Sequence, residues 1–202
     1  MKLYHAPGAC SLAVHIALRE AGLPFDLVKV DLTTHRLANG SDYTQIAPRG
    51  YVPLLELDDG SRHTEAAALL QYVAESAPQA GLLGDTGSRR RFQILQWLTF
   101  VGSELHKTFS PWLWHKETAE STRTAAKDKL ATRFAELDRH LATNAYLAGD
   151  FSIADAYCFT IVNWANFLSL SLKAYPHLQA YLTRVASRPR VRDALVAEGL
   201  AQ

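Results

Sequence analysis

The stretch KLYHAPGACSLAVHIALREAGLPFDLVKVDL, residues 2–32, decides the fold class of the first half of the chain. Lys2–His5 is a short extended run, and residues 10–21 follow with the apolar spacing of a helix. Gly22 ends this helix, because glycine tolerates the left-handed conformation that closes a helix. Residues 25–32 then alternate between apolar and polar side chains, so the whole stretch predicts a β-α-β unit.

The next segment changes the order of the elements. Residues 33–50 form a polar loop with room for a short helix, and the apolar run 52–57 predicts a strand. Asp58-Asp59-Gly60 is a tight-turn signal, residues 62–64 return as a strand, and residues 65–75 carry a helical pattern. A β-α-β unit followed by β-β-α predicts a mixed four-stranded sheet covered by helices, which is the thioredoxin-like arrangement.

The second half of the chain has helical periodicity. Glycine and proline mark residues 78–87 as a linker. Beyond the linker, apolar residues recur every three or four positions, first at Ile94, Leu98, Val101, Leu105 and Phe109. Residues 153–168 are apolar nearly all round and predict a buried central helix, which begins with a capping box at residues 152–155. The chain therefore divides into a thioredoxin-like domain at 1–77 and an all-helical domain at 88–202.

The composition excludes several classes of protein. Of the 202 residues, 48% are hydrophobic and 20% are charged, and the formal net charge is +1, so nothing favours nucleic acid or a membrane surface as a partner. The sequence has no run of about 18 apolar residues and no basic and apolar leader. The two cysteines, Cys10 and Cys158, are too few for a disulfide framework and belong to no metal-binding cluster. We expect a cytoplasmic protein without a metal site.

Cys10 is the first candidate for chemistry because it stands at the predicted start of a helix. The free N–H groups and partial positive charge of a helix start stabilise a thiolate. Residues 11–13 contain no second cysteine, so a dithiol cycle is excluded within this motif. A thiol that handles glutathione and a small buried hydrophobe both remain open interpretations. Cys158 lies in an apolar helix and is interpreted as a core residue.

Two further segments suggest backbone recognition of a ligand. Pro53 opens a strand, and a cis Val52–Pro53 bond would turn the Val52 backbone outward, where it could pair with an extended peptide. The sequence leaves cis and trans both open. Glu65 and Ala66 stand where a strand meets a helix, so Glu65 either accepts from a ligand ammonium or favours the helix dipole.

Thr99, Ser103, His106 and Ser110 form a polar stripe beside the apolar face of the first C-terminal helix. Such a stripe suits either a groove or a solvated helix face. In a groove, His106 could exchange a proton with a sulfur.

Taken together, these motifs resemble the soluble glutathione transferases over essentially the whole chain. Four stretches carry the resemblance, namely Met1-Lys2-Leu3-Tyr4 with Gly8-Ala9-Cys10-Ser11-Leu12, Pro48-Arg49-Gly50-Tyr51-Val52-Pro53, Thr64-Glu65-Ala66 and Gly149-Asp150-Phe151-Ser152-Ile153-Ala154-Asp155-Ala156. Cys10, with Ser103-Glu104-Leu105-His106-Lys107 downstream, points to the bacterial beta class. The resemblance implies a cytoplasmic homodimer that takes glutathione as co-substrate, holds no permanent cofactor and serves detoxification.

The resemblance also implies a role for each matching position. Cys10 and His106 are expected to be catalytic, with Cys10 beside the glutathione sulfur and His106 nearby across the domain cleft. Phe109 and Trp164 are expected to line the wall for a hydrophobic co-substrate. The implied glutathione contacts are His35, Val52, Pro53, Glu65, Ala66, Thr99, Ser103, Glu104 and Lys107, with Thr99, Ser103 and Glu104 reaching the neighbouring subunit's ligand.

Three positions depart from the family pattern. Ala66, His35 and Thr99 stand where serine, lysine and asparagine are common, so we expect weaker binding of glutathione. The expected function is conjugation of reduced glutathione to hydrophobic electrophiles. The alternatives are thiol–disulfide exchange or peroxidase activity through Cys10, another glutathione-dependent reaction such as isomerisation or dehalogenation, and a non-enzymatic ligand-binding protein on the same fold.

Overall fold

The computed structural model describes residues 1–201. The chain packs into two compact units, of which the first contains residues 1–82 together with 188–201 and the second contains residues 83–187. The domain bounds 1–77 and 88–202 remain predictions. The C-terminal residues, however, group with the first unit and not with the helical one.

The first unit is built on a five-stranded sheet. Its strands are β1 (Lys2–His5), β2 (Asp26–Asp31), β3 (Arg36–Leu37), β4 (Leu54–Glu56) and β5 (Arg62–His63). Their order in the sheet is β3-β2-β1-β4-β5, with β1 and β2 parallel and the other pairs antiparallel. The mixed thioredoxin-like sheet is therefore confirmed, and it carries one strand more than the four expected.

The additional strand β3 is too short to have a period of its own. Leu37 of β3 pairs with Val30 of β2, and Arg36 of β3 pairs with Asp31 of β2. The Asp31 carboxylate accepts the Thr33 N–H at 2.8 Å, which stabilises the turn that brings the chain back. A two-residue strand in a polar loop leaves no alternating pattern in the sequence, and this explains why it was not predicted.

Helices cover this sheet. They are α1 (Ser11–Ala21), α2 (Ala66–Ser76) and the C-terminal α9 (Pro189–Ala197), and short 3₁₀ turns occupy Tyr43–Gln45 and Pro78–Ala80. Gly22 ends α1 with φ 67°, the left-handed cap that its sequence position predicts. Helix α1 packs against both α2 and α9 and is buried along most of its length, and this packing brings the end of the chain into the first unit.

The second unit is helical. It contains α3 (Arg89–Phe100), a π-helical segment (Val101–His106), α4 (Lys107–Phe109), α5 (Glu120–Leu141), α6 (Ile153–Val162), α7 (Trp164–Phe167) and α8 (Pro176–Ala186). The five apolar residues predicted to share one face, Ile94, Leu98, Val101, Leu105 and Phe109, are all buried. In the described part of the chain, no helix is both long and apolar enough to cross a bilayer.

The predicted helix 153–168 is divided in two. All ten residues of α6 are buried, as the all-round apolar pattern predicts. The break falls at Asn163, whose amide donates to the Phe159 carbonyl at 2.8 Å. Such local bonds from short polar side chains offer the backbone an alternative to a continuous helix.

Asp155 organises the start of α6. Ser152 and Asp155 form the predicted capping box, in which the Asp155 Oδ2 accepts from the Ser152 N–H and hydroxyl, each at 2.9 Å. The other carboxylate oxygen accepts from the Leu147 N–H at 2.9 Å and from the Tyr181 hydroxyl at 3.1 Å. Asp155 is fully buried, and burial raises its pKa to about 6 although these donors favour the carboxylate.

We expect Asp155→Ala to lower the free energy of unfolding by about 3–5 kcal/mol, because it leaves several buried donors without an acceptor. Urea denaturation followed by circular dichroism measures this loss. Asp155→Asn retains an oxygen acceptor and should lose less. The control Asp150→Ala, at an exposed aspartate of the same loop, should stay within about 0.5 kcal/mol of the original protein. Equal losses in Asp155→Ala and the control would contradict the central role of Asp155.

Candidate functional site

Cys10 lies in the first unit between β1 and α1. It is the N-cap residue of α1, with φ −59° and ψ −18°, and its side chain is partly exposed. Its thiol donates to the Val52 carbonyl, with a sulfur–oxygen distance of 3.3 Å. Cys158, by contrast, is fully buried, and this burial raises its pKa far above the ordinary range of a thiol. Only Cys10 is therefore placed to react.

Val52 precedes Pro53, and the peptide bond between them is cis. The structure thus decides the alternative that the sequence left open. Tyr43 supports this loop from beneath, because its buried hydroxyl donates to the Tyr51 carbonyl at 2.9 Å. The bond holds the segment just before β4, where the Val52 carbonyl faces the thiol of Cys10.

Strand pairing gathers three predicted segments at one edge of the sheet. In the antiparallel pair β1–β4, Tyr4 lies opposite Leu54, so the chain leaving β1 toward Cys10 passes the segment that enters β4. In the antiparallel pair β4–β5, Leu55 lies opposite His63. Glu65 follows two residues after His63 and reaches the same edge. Cys10 lies 42 positions from Val52 in the sequence, whereas Val52 and Glu65 flank the paired strands β4 and β5.

Glu65 has an unusual backbone for a non-glycine residue, with φ 69° and ψ 105° at the N-cap of α2. Holding such a residue in the positive-φ region costs about 1–3 kcal/mol, and strain of this kind concentrates at functional sites. The Glu65 carboxylate is exposed and pairs with Arg49 at 3.1 Å, a contact that the sequence did not predict. Ala66 begins α2 directly after it, so a carboxylate and a helix N-terminus stand side by side.

His35 also has a positive φ, 53°. Its imidazole packs against Gly50, where a Cβ atom would come within 2.6 Å of the ring. Glycine is required at position 50 both for this approach and for its own φ of 66°. The His35 Nδ1 is buried against Gly50 and has no hydrogen-bond partner among the described residues.

His106 ends the π-helical segment of the second unit. Its Nδ1 lies 2.6 Å from the Tyr157 hydroxyl, and its ring meets the Trp164 indole edge-on with a centroid separation of 5.0 Å. Burial, with a contribution from the nearby charge of Lys107, lowers the pKa of His106 to about 4. A phenol is a stronger donor than a neutral imidazole N–H, so we expect Nδ1 to accept from the Tyr157 hydroxyl and the ring proton to reside on Nε2.

Aromatic rings surround His106 on one side. Trp164 contacts Phe109 and Trp114 edge-on at centroid separations of 5.8 and 5.6 Å. Phe109 is fully buried and Trp164 is 6% exposed, so the two predicted wall residues offer little surface to a co-substrate. Trp114, which was not predicted, is 42% exposed. The sequence signal for Trp114 is a second tryptophan, Trp112, two residues away in the same loop. Both indole rings are exposed, and exposed aromatic side chains that lie together indicate a binding surface.

Three further predicted contacts in the second unit have partners within that unit. The Thr99 hydroxyl donates to the Leu95 carbonyl and the Ser103 hydroxyl to the Thr99 carbonyl, although both side chains lie on the exposed face. Glu104 pairs with Arg133 at 2.8 Å and with Lys129 at 3.3 Å, and these donors lower its pKa. Glu104 therefore has a structural role in tying the π-helical segment to α5.

Comparison with known proteins identifies close relatives over the whole chain. The sequence model for the glutathione S-transferase N-terminal domain matches residues 8–76, and the one for the C-terminal domain matches residues 100–189. The glutathione S-transferase GstA of Escherichia coli O157:H7 is 44% identical over 201 residues, which cover 99% of this chain and 100% of the relative.

Solved structures agree with this comparison. A sphingomonad glutathione S-transferase complexed with glutathione has a TM-score of 0.93 and 44% identity, and covers 100% of both chains. The bacterial beta-class enzyme of Sphingomonas chungbukensis has a TM-score of 0.93 and 43% identity, again over 100% of both chains.

We expect the His106 ring to stay neutral until the pH falls to about 4. The pKa of His106 in the folded chain lies below the unfolded value of about 6.5, so its contribution to the stability of the folded state is fully present above pH 6.5. This contribution is lost as the pH falls from about 6.5 to about 4. Nitrogen-15 NMR of labelled histidine measures both the midpoint and the tautomer, and His106→Gln assigns the resonance. A midpoint near 6.5 would contradict the buried environment, and equal proton occupancy of both nitrogens would contradict the role of Tyr157.

Proposed function

The chain belongs to the glutathione S-transferase family, and from this premise we propose that it conjugates reduced glutathione to hydrophobic electrophiles. One observation carries the proposal: the edge of the sheet where the thiol of Cys10, the Val52 backbone before a cis proline, and the strained Glu65 come together. This edge offers a backbone for an extended peptide, a carboxylate for an ammonium and a helix N-terminus for a carboxylate. A γ-glutamyl tripeptide has an extended backbone, an ammonium and a carboxylate for these three features to bind.

We propose the following roles within the first unit. The Val52 backbone pairs with the cysteinyl part of glutathione beside Pro53, and Glu65 with the Ala66 N–H holds the γ-glutamyl end. His35 meets the glycyl carboxylate. In the second unit, Thr99, Ser103, Glu104 and Lys107 remain the proposed contacts to the ligand of a neighbouring subunit. For Glu104 this role would require it to share its carboxylate with Arg133 and Lys129.

Activation of the glutathione thiol accounts for only part of the proposed reaction. A thiol with a pKa of about 8.5 is about 3% ionised at pH 7, and lowering the pKa by about two units raises that fraction about 25-fold. Nucleophilicity falls along with the pKa, so the net gain is about a few-fold. Positioning of the electrophile must supply more. We assign this positioning to the aromatic cluster of the second unit, in which Trp114 presents the exposed surface.

Cys10 gives the chain a second candidate activity. Its sulfur lies against the Val52 carbonyl, beside the backbone proposed to hold the cysteinyl part of glutathione. A thiolate of Cys10 could displace one sulfur of a glutathione-containing disulfide and form a mixed disulfide, which a second glutathione thiolate would resolve. We therefore propose thiol–disulfide exchange as a side activity that depends on this sulfur.

We propose that the chain acts as a cytoplasmic homodimer in detoxification. Two aromatic side chains that face solvent support the assembly, since Tyr51 is 70% exposed and Phe92 is 68% exposed. Tyrosine and phenylalanine are among the residue types enriched in protein–protein interfaces.

Titration of reduced glutathione into the reduced chain in a calorimeter tests the binding site. We expect saturable binding of one glutathione per chain, with the sample sedimenting as a dimer. Glu65→Ala should raise the Kd by about 10- to 150-fold, which corresponds to the loss of a hydrogen bond to a charged group. The control Glu117→Ala, an exposed glutamate of the second unit, should leave the Kd unchanged. Absence of binding at millimolar glutathione would contradict the proposal.

Cys10→Ala separates the two proposed activities. Conjugation of glutathione to a chlorodinitrobenzene should persist within about a few-fold, because the attacking sulfur belongs to glutathione. Reduction of a mixed disulfide should be lost, because that step needs the Cys10 sulfur. Cys158→Ala is the matched control, since it removes the other thiol from a buried position. Full disulfide reduction by Cys10→Ala would show that this sulfur does not carry the exchange.

A further inference from the structure

Glu198 is a buried acidic residue for which the proposed reaction has no use. It follows α9 near the end of the chain, in the first unit, and its side chain is fully shielded from solvent. An ionised carboxylate is rarely buried completely unless several donors replace its water. The surroundings of Glu198 must therefore supply those donors.

Two hydrogen-bond donors and one longer polar contact meet the Glu198 carboxylate. The Gly8 N–H donates to Oε2 at 2.9 Å, and the His15 Nδ1 lies 2.8 Å from Oε1. The His5 Nδ1 approaches Oε1 at 3.4 Å, as a longer polar contact. Arg19 donates through Nε to the His15 Nε2 at 2.7 Å, so Nδ1 must carry the His15 proton and be the atom that donates to Glu198.

The charges of this cluster agree with that assignment. Burial lowers the pKa of His15, which therefore remains neutral even though Glu198 favours its charged form. Burial by itself would raise the pKa of Glu198, but the donors from His15, His5 and Gly8 outweigh it, and the pKa lies below its ordinary value. A neutral His15 thus connects the Arg19 guanidinium to an ionised Glu198.

The Gly8 N–H links this cluster to Cys10. Gly8 is in the left-handed region, with φ 71°, at the turn between β1 and α1. The turn is closed by the Ala9 N–H, which donates to the Ala6 carbonyl at 3.0 Å, and by Ser11, whose hydroxyl contacts both the N–H and the carbonyl of Ala6. Glu198 accepts the Gly8 N–H from outside this turn.

We propose that Glu198 is a positioning residue for Cys10: by accepting the Gly8 N–H it holds the turn of residues 6–10, and through that turn it holds the Cys10 thiol against the Val52 carbonyl. The end of the chain then takes part in shaping a site formed by its beginning. The inference concerns the placement of Cys10. Only one consequence of this inference, that glutathione binding also depends on Glu198, rests on the proposed function.

The tail that carries Glu198 has a second attachment to α1, and this offers a matched control. The Arg188 guanidinium donates to both carboxylate oxygens of Glu20, at 2.7 and 2.9 Å. Arg188→Gln weakens the docking of the same tail at the far end of α1 without touching Gly8 or Cys10. If Glu198 only helped to dock the tail, a substitution of Glu198 and the substitution Arg188→Gln would have the same effects.

The test compares Glu198→Leu, which fills the space but accepts no hydrogen bond, with Glu198→Gln, which keeps an oxygen acceptor, and with Arg188→Gln. Hydrogen exchange of the Gly8 amide and of the β1 amides is measured residue by residue by NMR. Alkylation of Cys10 in the native protein is measured with uncharged iodoacetamide, whose approach does not depend on the lost charge. Because Cys158 is buried, it should stay unlabelled.

We expect Glu198→Leu to speed exchange of the Gly8 amide by at least about tenfold and alkylation of Cys10 by about threefold. In Glu198→Gln both rates should return most of the way to those of the original chain. Arg188→Gln should lower the melting temperature and leave both rates unchanged. Rates in Glu198→Leu equal to those of the original chain, or equal changes in Arg188→Gln, would overturn the proposal.

A measurement on the unaltered chain guards against a variant that does not fold. The Gly8 amide should exchange as slowly as the amides of β1, and exchange on the time scale of an open loop would overturn the proposal without any substitution. None of these readouts requires glutathione. If the chain binds none, the proposed function fails while the role of Glu198 is still decided.

Discussion

The antiparallel pairing of β1 with β4 is the constraint on which the rest of the first unit depends. With Tyr4 opposite Leu54, the loop that leaves β1 and the loop that enters β4 meet at one edge of the sheet. The contact between the Cys10 thiol and the Val52 carbonyl follows from this register. A shift by one residue would turn every side chain of β1 to the other face and would expose the core. The hydrophobic core therefore protects the geometry of the candidate site.

Each unit also contains one fully buried carboxylate that organises loops. Asp155 collects donors from Leu147, Ser152 and Tyr181 in the second unit, and Glu198 collects donors from Gly8 and His15 in the first. Both carboxylates replace the water that their loops would otherwise need, and both join segments far apart in the sequence. A buried charge is expensive, so its partners must be held closely in place. In this chain the loops beside the site and beside the central helix are ordered in that way.

The two candidate catalytic residues have different supports. Cys10 stands at a helix start in a loop that the sheet and the C-terminal tail hold, and its thiol donates to the Val52 carbonyl. His106 stands at the end of a π-helical segment, an arrangement often found at functional sites, and burial keeps it neutral at physiological pH. A neutral imidazole that carries its proton on Nε2 is suited to donate a hydrogen bond and unsuited to hold a positive charge.

By itself the sequence determined the local elements: the helix closed by Gly22, the capping box at Ser152, the buried face of α3 and the segments that resemble glutathione transferases. Each of these depends on neighbours within a few residues, so periodicity and cap chemistry are sufficient to find them. Only the tertiary structure decided that the Val52–Pro53 bond is cis, that β3 completes the sheet, that Phe109 is buried while Trp114 is exposed, and that Glu198 reaches Gly8. These features depend on strand register and on packing between residues up to 190 positions apart, and no local pattern records such contacts.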